Sequence, residues 1–256
     1  MKRTAFTRAV SQRIAECQLT HLTRVPIDPA RAAAQHAAYE QALADGGYEI
    51  VRLPELPDDP DAVFVEDTAL VLNGHAIITR PGAPSRVGEI GSTADGLRDH
   101  FELHHIKSGH LDGGDVLRIG KRLYVGLSTR TNRAGAEALA EIANAIGIEV
   151  VHAATGACLH LKTGATFAGH NATGNPALLY DPATIDPAQF ADVEPLPVEE
   201  PAAANCIRLA DRLVLPAGNP RTANRLRSQG FSVVEVDVSE LQKAEAGVTC
   251  MSLIAD

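Results

Sequence analysis

A cysteine, a histidine and a carboxylate brought together by folding make a nucleophile, its proton carrier and an orienting group. In this chain those parts are Cys250, His160 and Asp115. Asp115 follows Gly113 and Gly114, so it can come close to a neighbouring segment and hold the imidazole. Each residue alone has a plainer reading, since cysteines are among the most buried residue types and an Asp after two glycines can cap a turn. A second group is acidic. Asp61, Glu66 and Asp67 surround one predicted strand, where their proximity would raise their pKa values unless a cation lies between them. A guanidinium is a planar fork of donors suited to carboxylates, and a divalent metal would relieve the same repulsion. Spacing argues against zinc: Cys158 and His160 alternate along a strand and make a poor chelate, so no metal and no other cofactor is expected. The other histidines, including His104, His105 and His110, read as surface or core residues.

The elements that must position these residues repeat. A strand, a second strand, a helix and a third strand recur at a period of roughly 45 to 50 residues. The clearest copy runs Leu111–Ile119, Arg122–Leu127, an amphipathic helix Asn132–Ile146, then Ile148–His152. The copy before it runs Val63–Leu72, His75–Thr79, a helix over Val87–His100, then Phe101–Ile106. Another runs Asn205–Leu209, Arg212–Pro216, Pro220–Gln229 and Phe231–Val236, and a copy degraded in its helix begins at Leu159 and continues to Ala177–Tyr180. The two ends supply a fifth module: Gly247–Ile254 reads as a first strand, and the N-terminus adds a strand, the helix Pro29–Ala44 and Tyr48–Leu53. A ring closed by its ends removes open sheet edges and brings distant positions to one centre. The first strand of each module then delivers Glu66 and Asp67, Asp115, His160, Asn205 and Cys250 toward the axis.

Composition sets the outer limits. With 256 residues, 45% of them hydrophobic, the chain can bury a sizeable core, and the lack of a Pro/Gly/Ser-rich linker favours one catalytic domain over residues 1–256. The formal charge of -9 argues against a nucleic-acid or anionic membrane partner and fits a small cationic ligand. No stretch approaches a membrane span or a signal peptide, and four widely spaced cysteines in a chain of this size suit reduced thiols, so a cytoplasmic location is expected. Oligomeric state leaves no mark in the sequence.

Seven stretches in order carry a family pattern: FVEDTAL (64–70), ITRPGAPSR (78–86), LDGGDVL (111–117), VGLSTRTNRAGAE (125–137), LHLKT (159–163), AANCI (203–207) and GVTC (247–250). Together they resemble the dimethylarginine dimethylaminohydrolases, over nearly the whole chain. The resemblance implies an α/β fold, the five-bladed pseudo-symmetric α/β propeller of ββαβ modules (the pentein fold), with the N- and C-terminal segments sharing one module. It implies Cys250 as nucleophile, His160 as general acid/base and Asp115 as its orienting carboxylate. It further implies that Asp61, Glu66 and Asp67 hold a guanidinium, that Arg86 and Arg133 bind the substrate's carboxylate, that Leu19 lies on a mobile covering loop, and that the backbone carbonyl of Ala244 receives an α-amino group. The implied reaction hydrolyses methylated arginines to citrulline and an amine through a thiouronium on the cysteine. Three competitors stand beside it: an arginine deiminase or amidinotransferase using the same Cys, His and acids, a non-catalytic arginine-binding protein of the same fold, and a zinc-dependent hydrolase.

Overall fold

The repeat folds as five three-stranded sheets in a computed structural model that describes residues 2–256. The first module comprises strands Ala69–Leu72, His75–Ile78 and Glu102–His105 with helix Glu89–Leu97; the second comprises Val116–Ile119, Arg122–Leu127 and Glu149–Ala154 with helix Arg133–Ala145. The third contains Ala165–His170, Pro176–Tyr180 and Glu194–Pro197, and the fourth Ile207–Arg208, Leu213–Pro216 and Val233–Val236 with helix Pro220–Ser228. Leu253–Ala255, Thr4–Thr7, helix Pro29–Asp45 and Glu49–Arg52 make the fifth from both ends of the chain. In every sheet the middle strand runs antiparallel to the first and parallel to the third. The third module has only the short turn Pro187–Gln189 where the others have a helix, as its many prolines suggest.

Local chemistry explains the helices. Asn132 caps Arg133–Ala145 by accepting from the Gly135 N–H, and Ala136, Leu139 and Ala143 return at three- and four-residue intervals to its buried face. Asp28 accepts from the N–H groups of Ala30 and Arg31, and Pro29 occupies the first helical position of Pro29–Asp45. The middle strands are buried on both faces, which is why they read as continuous apolar runs. Ile77 packs with Val125 and Leu139 of the second module, whereas Ala76 and Ile78 pack with Phe6 and Leu253 of the fifth. The apolar layers therefore lie between neighbouring modules.

One expectation is corrected. The polar residues do not sit in the first strands; they sit in, or as the capping residue of, single helical turns just ahead of them, at Val65–Thr68, Gly113–Asp115, Leu161–Gly164 (capped by His160), Pro201–Ala204 (ended by Asn205) and Thr249–Met251. A turn frees backbone N–H groups that a strand would use in its ladder, and here those groups and their side chains bond from module to module. Gly114 N–H donates to Asp67 Oδ1 (3.1 Å), Leu161 N–H to Asp115 Oδ1 (2.9 Å), and Asn205 Nδ2 to Lys162 O (2.8 Å). Thr249 N–H donates to Asn205 Oδ1 (3.0 Å), and its hydroxyl to Glu66 Oε2 (2.7 Å). All five junctions are thus crossed by a hydrogen bond from the inner turns, and the circuit closes. Among the described residues no helix is long and apolar enough to cross a membrane.

Candidate active site

Beside this circuit lies a cavity of about 30 Å³ lined by Gln18, Asp61, Asp67, Arg86, Arg130, His160, Ala244 and Cys250 among others. Cys250 and His160, ninety residues apart in sequence, meet here because the fifth and third modules both contribute to the axis. His160 is buried, and its Nε2 lies 3.1 Å from Asp112 Oδ2 and 3.8 Å from Asp67 Oδ1. Gly113 and Gly114 make this approach possible. A Cβ on Gly113 would stand 2.0 Å from Glu66 O, and one on Gly114 would stand 2.6 Å from His160 Nδ1.

The carboxylate that holds the imidazole is Asp112, and the expectation for Asp115 is corrected accordingly. Asp112 sits at the start of the turn, anchored by the Gly82 N–H (2.8 Å) on Oδ1, with Oδ2 toward the ring. Asp115 ends the same turn against the next module, accepting from the Leu161 N–H and from Ser128 Oγ (2.6 Å). It fixes the backbone beside His160. The two arginines need a similar correction. Arg133 opens the surface helix and is exposed, whereas the turn Ser128–Thr131 directs Arg130 inward, where Nη1 is 3.7 Å from Asp112 Oδ2 and Nη2 donates to Thr20 Oγ1 (3.2 Å). Arg86 lines the cavity, but its donors go to Asp67 (2.5 Å), Glu89 (2.8 and 2.9 Å) and the carbonyls of Asp61 and Phe64. It neutralises buried acids, with Nε and Nη2 engaged and Nη1 making one bond, to Asp67.

Glu66 likewise faces away from the cavity, accepting from Lys162 Nζ (2.5 Å) and the Thr249 hydroxyl. Asp61 and Asp67 do reach it. Leu19 lines an adjoining cavity with Asp61 and Ser85, and its neighbour Gln18 donates its N–H to Asp61 (3.1 Å). The N–H groups of Thr20, His21 and Leu22 all donate to the Glu245 carboxylate, beside Ala244. Asp112, Arg130 and Glu245 were not singled out from sequence. LDGGD and STRTNR each offer two residues of the right type three positions apart, and only the turn decides which faces inward.

Electrostatics divides the proton inventory sharply. Burial, with Glu66 and Asp67 adding to it, pushes the Cys250 thiol up to about 12. For His160 burial acts downward, but Asp67, Asp112 and Asp115 outweigh it and hold the imidazole at about 9. Burial raises Asp61 and Glu66, against Arg86 and Lys162 respectively. Asp67 departs from the expected rise: burial opposes its charge, but His160 and Arg86 win and hold it below the ordinary carboxylate range. The resting site is therefore a neutral thiol beside an imidazolium. Asp67, Asp112 and His160 are close enough to share a metal ion, yet Arg86 and Arg130 already supply positive charge to both carboxylates.

A family model described as arginine deiminase matches residues 96–178. An N(G),N(G)-dimethylarginine dimethylaminohydrolase of Streptomyces coelicolor is 37% identical over 97% of this chain and 95% of its own length. One from Pseudomonas aeruginosa is 39% identical over 88% of this chain and 89% of its own. The chain belongs to the dimethylarginine dimethylaminohydrolase family. Two solved dimethylarginine dimethylaminohydrolase structures superpose on it with TM-scores of 0.92 at 34% identity, covering both chains completely: a histidine-to-glycine variant as an adduct with S-methyl-L-thiocitrulline, and the P. aeruginosa enzyme as a cysteine-to-serine mutant with citrulline. The N-terminal domain of a cyanobacterial arginine dihydrolase, at 20% identity and a TM-score of 0.84, shares the same five-bladed α/β propeller with the family.

Proposed function

We propose that this member of the family hydrolyses N-omega-methylated arginines to citrulline and dimethylamine or methylamine, with the whole chain acting as one catalytic domain in the reducing cytoplasm. The observation that carries this reading is the cavity where Cys250 and an imidazolium at about 9 stand among Asp61 and Asp67. A resonance-stabilised guanidinium carbon resists a neutral thiol, so attack requires a thiolate. The substrate's own positive charge, placed beside the sulfur and held by the two carboxylates, favours loss of the thiol proton. Sulfur then bonds to the guanidinium carbon, and His160 gives its proton to the departing amine nitrogen as the C–N bond breaks, leaving a thiouronium on Cys250. Neutral His160, oriented by Asp112, next takes a proton from water; the hydroxyl adds to the same carbon, the C–S bond breaks, and citrulline leaves.

Arg130, which lines the cavity and reaches Thr20 of the covering segment through Nη2, takes the α-carboxylate, and the carbonyl of Ala244 takes the α-amino group. The cavity as it stands, about 30 Å³, is too small for a whole arginine side chain. Segment 17–22, held to Asp61 and Glu245, is the cover whose opening admits substrate and whose return excludes water.

The test is turnover of asymmetric dimethylarginine, monomethylarginine and arginine in separate assays of citrulline and amine, with Cys250→Ala alongside. Citrulline and dimethylamine from the first, little from arginine, and none from the variant are expected. Ammonia from arginine as the main product would assign deimination instead.

A further inference from the structure

Two adjacent strands of the first module carry a second set of metal-ligating side chains. His75 opens His75–Ile78, and Glu102 and His104 lie two residues apart on Glu102–His105. The parallel register sets His75 opposite Glu102 and Ile77 opposite His104, so the two-residue period puts all three side chains on one face. His105 points to the other face.

His75 Nδ1 and His104 Nε2 are 3.0 Å apart. The Glu102 carboxylate spans both rings, with Oε2 at 3.5 Å from His75 Nδ1 and Oε1 at 3.8 Å from His104 Nε2. Ligands of a tetrahedral zinc ion, with bonds of about 2.0–2.1 Å, stand about 3.3 Å from one another. The two nitrogens thus stand near the edge length of such a tetrahedron, and one Glu102 oxygen lies within 4.8 Å of both. The imidazole side chains are 22% and 26% exposed, so packing holds them, while Glu102 is 68% exposed and leaves the fourth corner to water. Two imidazoles and one carboxylate suit zinc, nickel, cobalt or copper ions rather than calcium or magnesium, which prefer all-oxygen sets.

We propose that His75, Glu102 and His104 form a surface site for a divalent transition-metal ion, with zinc the fitting occupant. From sequence His104 reads as a surface or core residue; the pairing of the strands, which sequence spacing alone does not reveal, sets it beside His75 and Glu102. The site is not catalytic. His75 opens its strand and Thr79, whose hydroxyl bonds the Asp67 carbonyl, follows the strand's other end, four residue steps of about 3.3 Å away. A bound ion would clip the middle and outer strands of the first module together and stabilise the folded chain by mass action.

The experiment is calorimetric titration with zinc of the full chain carrying Cys250→Ser, which keeps zinc off the catalytic thiol. Thermal midpoints are read with zinc and with EDTA. One ion per chain and a zinc-dependent rise in midpoint are expected, both retained in His105→Ala. His75→Ala and His104→Ala should each weaken binding by about tenfold or more and abolish the rise. Glu102→Gln, at an exposed position, tests the site should either alanine variant have a lowered midpoint in EDTA. Saturable binding unchanged in His75→Ala, His104→Ala and Glu102→Gln would overturn the proposal, as would no saturable binding in the parent.

Discussion

Asp112 and Asp115 are separated by one turn and share a chemistry, yet their environments give them different work. Asp112→Asn removes the charge facing His160 Nε2 and should lower kcat by about 10²- to 10⁴-fold, the range of general acid/base catalysis. Asp115→Asn should act mainly through backbone placement, lowering the unfolding free energy by about 1–3 kcal/mol by urea titration. Equal kinetic losses in the two variants would contradict the assignment. The resting pair holds two protons, one on Cys250 and one on His160, whereas the attacking pair holds one. The expected kcat/KM therefore rises about tenfold per pH unit and levels near pH 9, where the first proton leaves. In Asp112→Asn the plateau should begin at lower pH. A profile flat across neutral pH would mean that the thiol is ionised at rest. The sign for stability follows the same group: His160 is raised from 6.5 to about 9, so its contribution is complete below about pH 6.5 and is lost as pH rises through 9. The residue types of the site were legible in LDGGDVL, LHLKT and GVTC. Which of two like residues faces the cavity was not, because a turn of three residues decides it.

At the scale of elements, the repeat of strand, strand, helix and strand was readable from apolar periodicity, as were the helices with Asp28 and Asn132 as caps. The inner turns were not, since their apolar neighbours continue the two-residue pattern of the strands that follow. Two elements govern access and alignment. The Thr20–Leu22 N–H groups hang on Glu245, itself in the left-handed backbone region at φ 61. Glu245→Ala should loosen this segment, and faster amide exchange and proteolytic nicking within residues 17–24 would register it. Unchanged exchange there would show that other contacts hold the cover. The turn Gly113–Asp115 admits no side chain toward the imidazole, so Gly114→Ala should cut kcat sharply, with near-native far-UV circular dichroism.

For the molecule as a whole, the inner circuit means that each module completes its neighbour. Asn205 serves two junctions at once, donating to Lys162 O and Thr249 Oγ1 and accepting from the Thr249 N–H. Asn205→Ala leaves several buried groups without partners and should cost about 2–4 kcal/mol of stability, read by denaturant unfolding. It should also lower turnover, because Thr249 adjoins Cys250. A loss under about 0.5 kcal/mol, the usual size of a surface change, would show that the circuit is ornamental to stability. Fivefold repetition was visible in the sequence because each module repeats the same order of elements. The hydrogen bonds between modules were invisible, since each joins residues many tens of positions apart. The same arrangement divides the reacting groups between the two halves of the chain: His160, Asp112 and Asp67 precede the exposed turn 172–175, and Asn205 and Cys250 follow it. A chain severed there would yield two fragments, neither holding both thiol and imidazole, so citrulline would form only when the pieces found each other, and the enzyme would report its own reassembly.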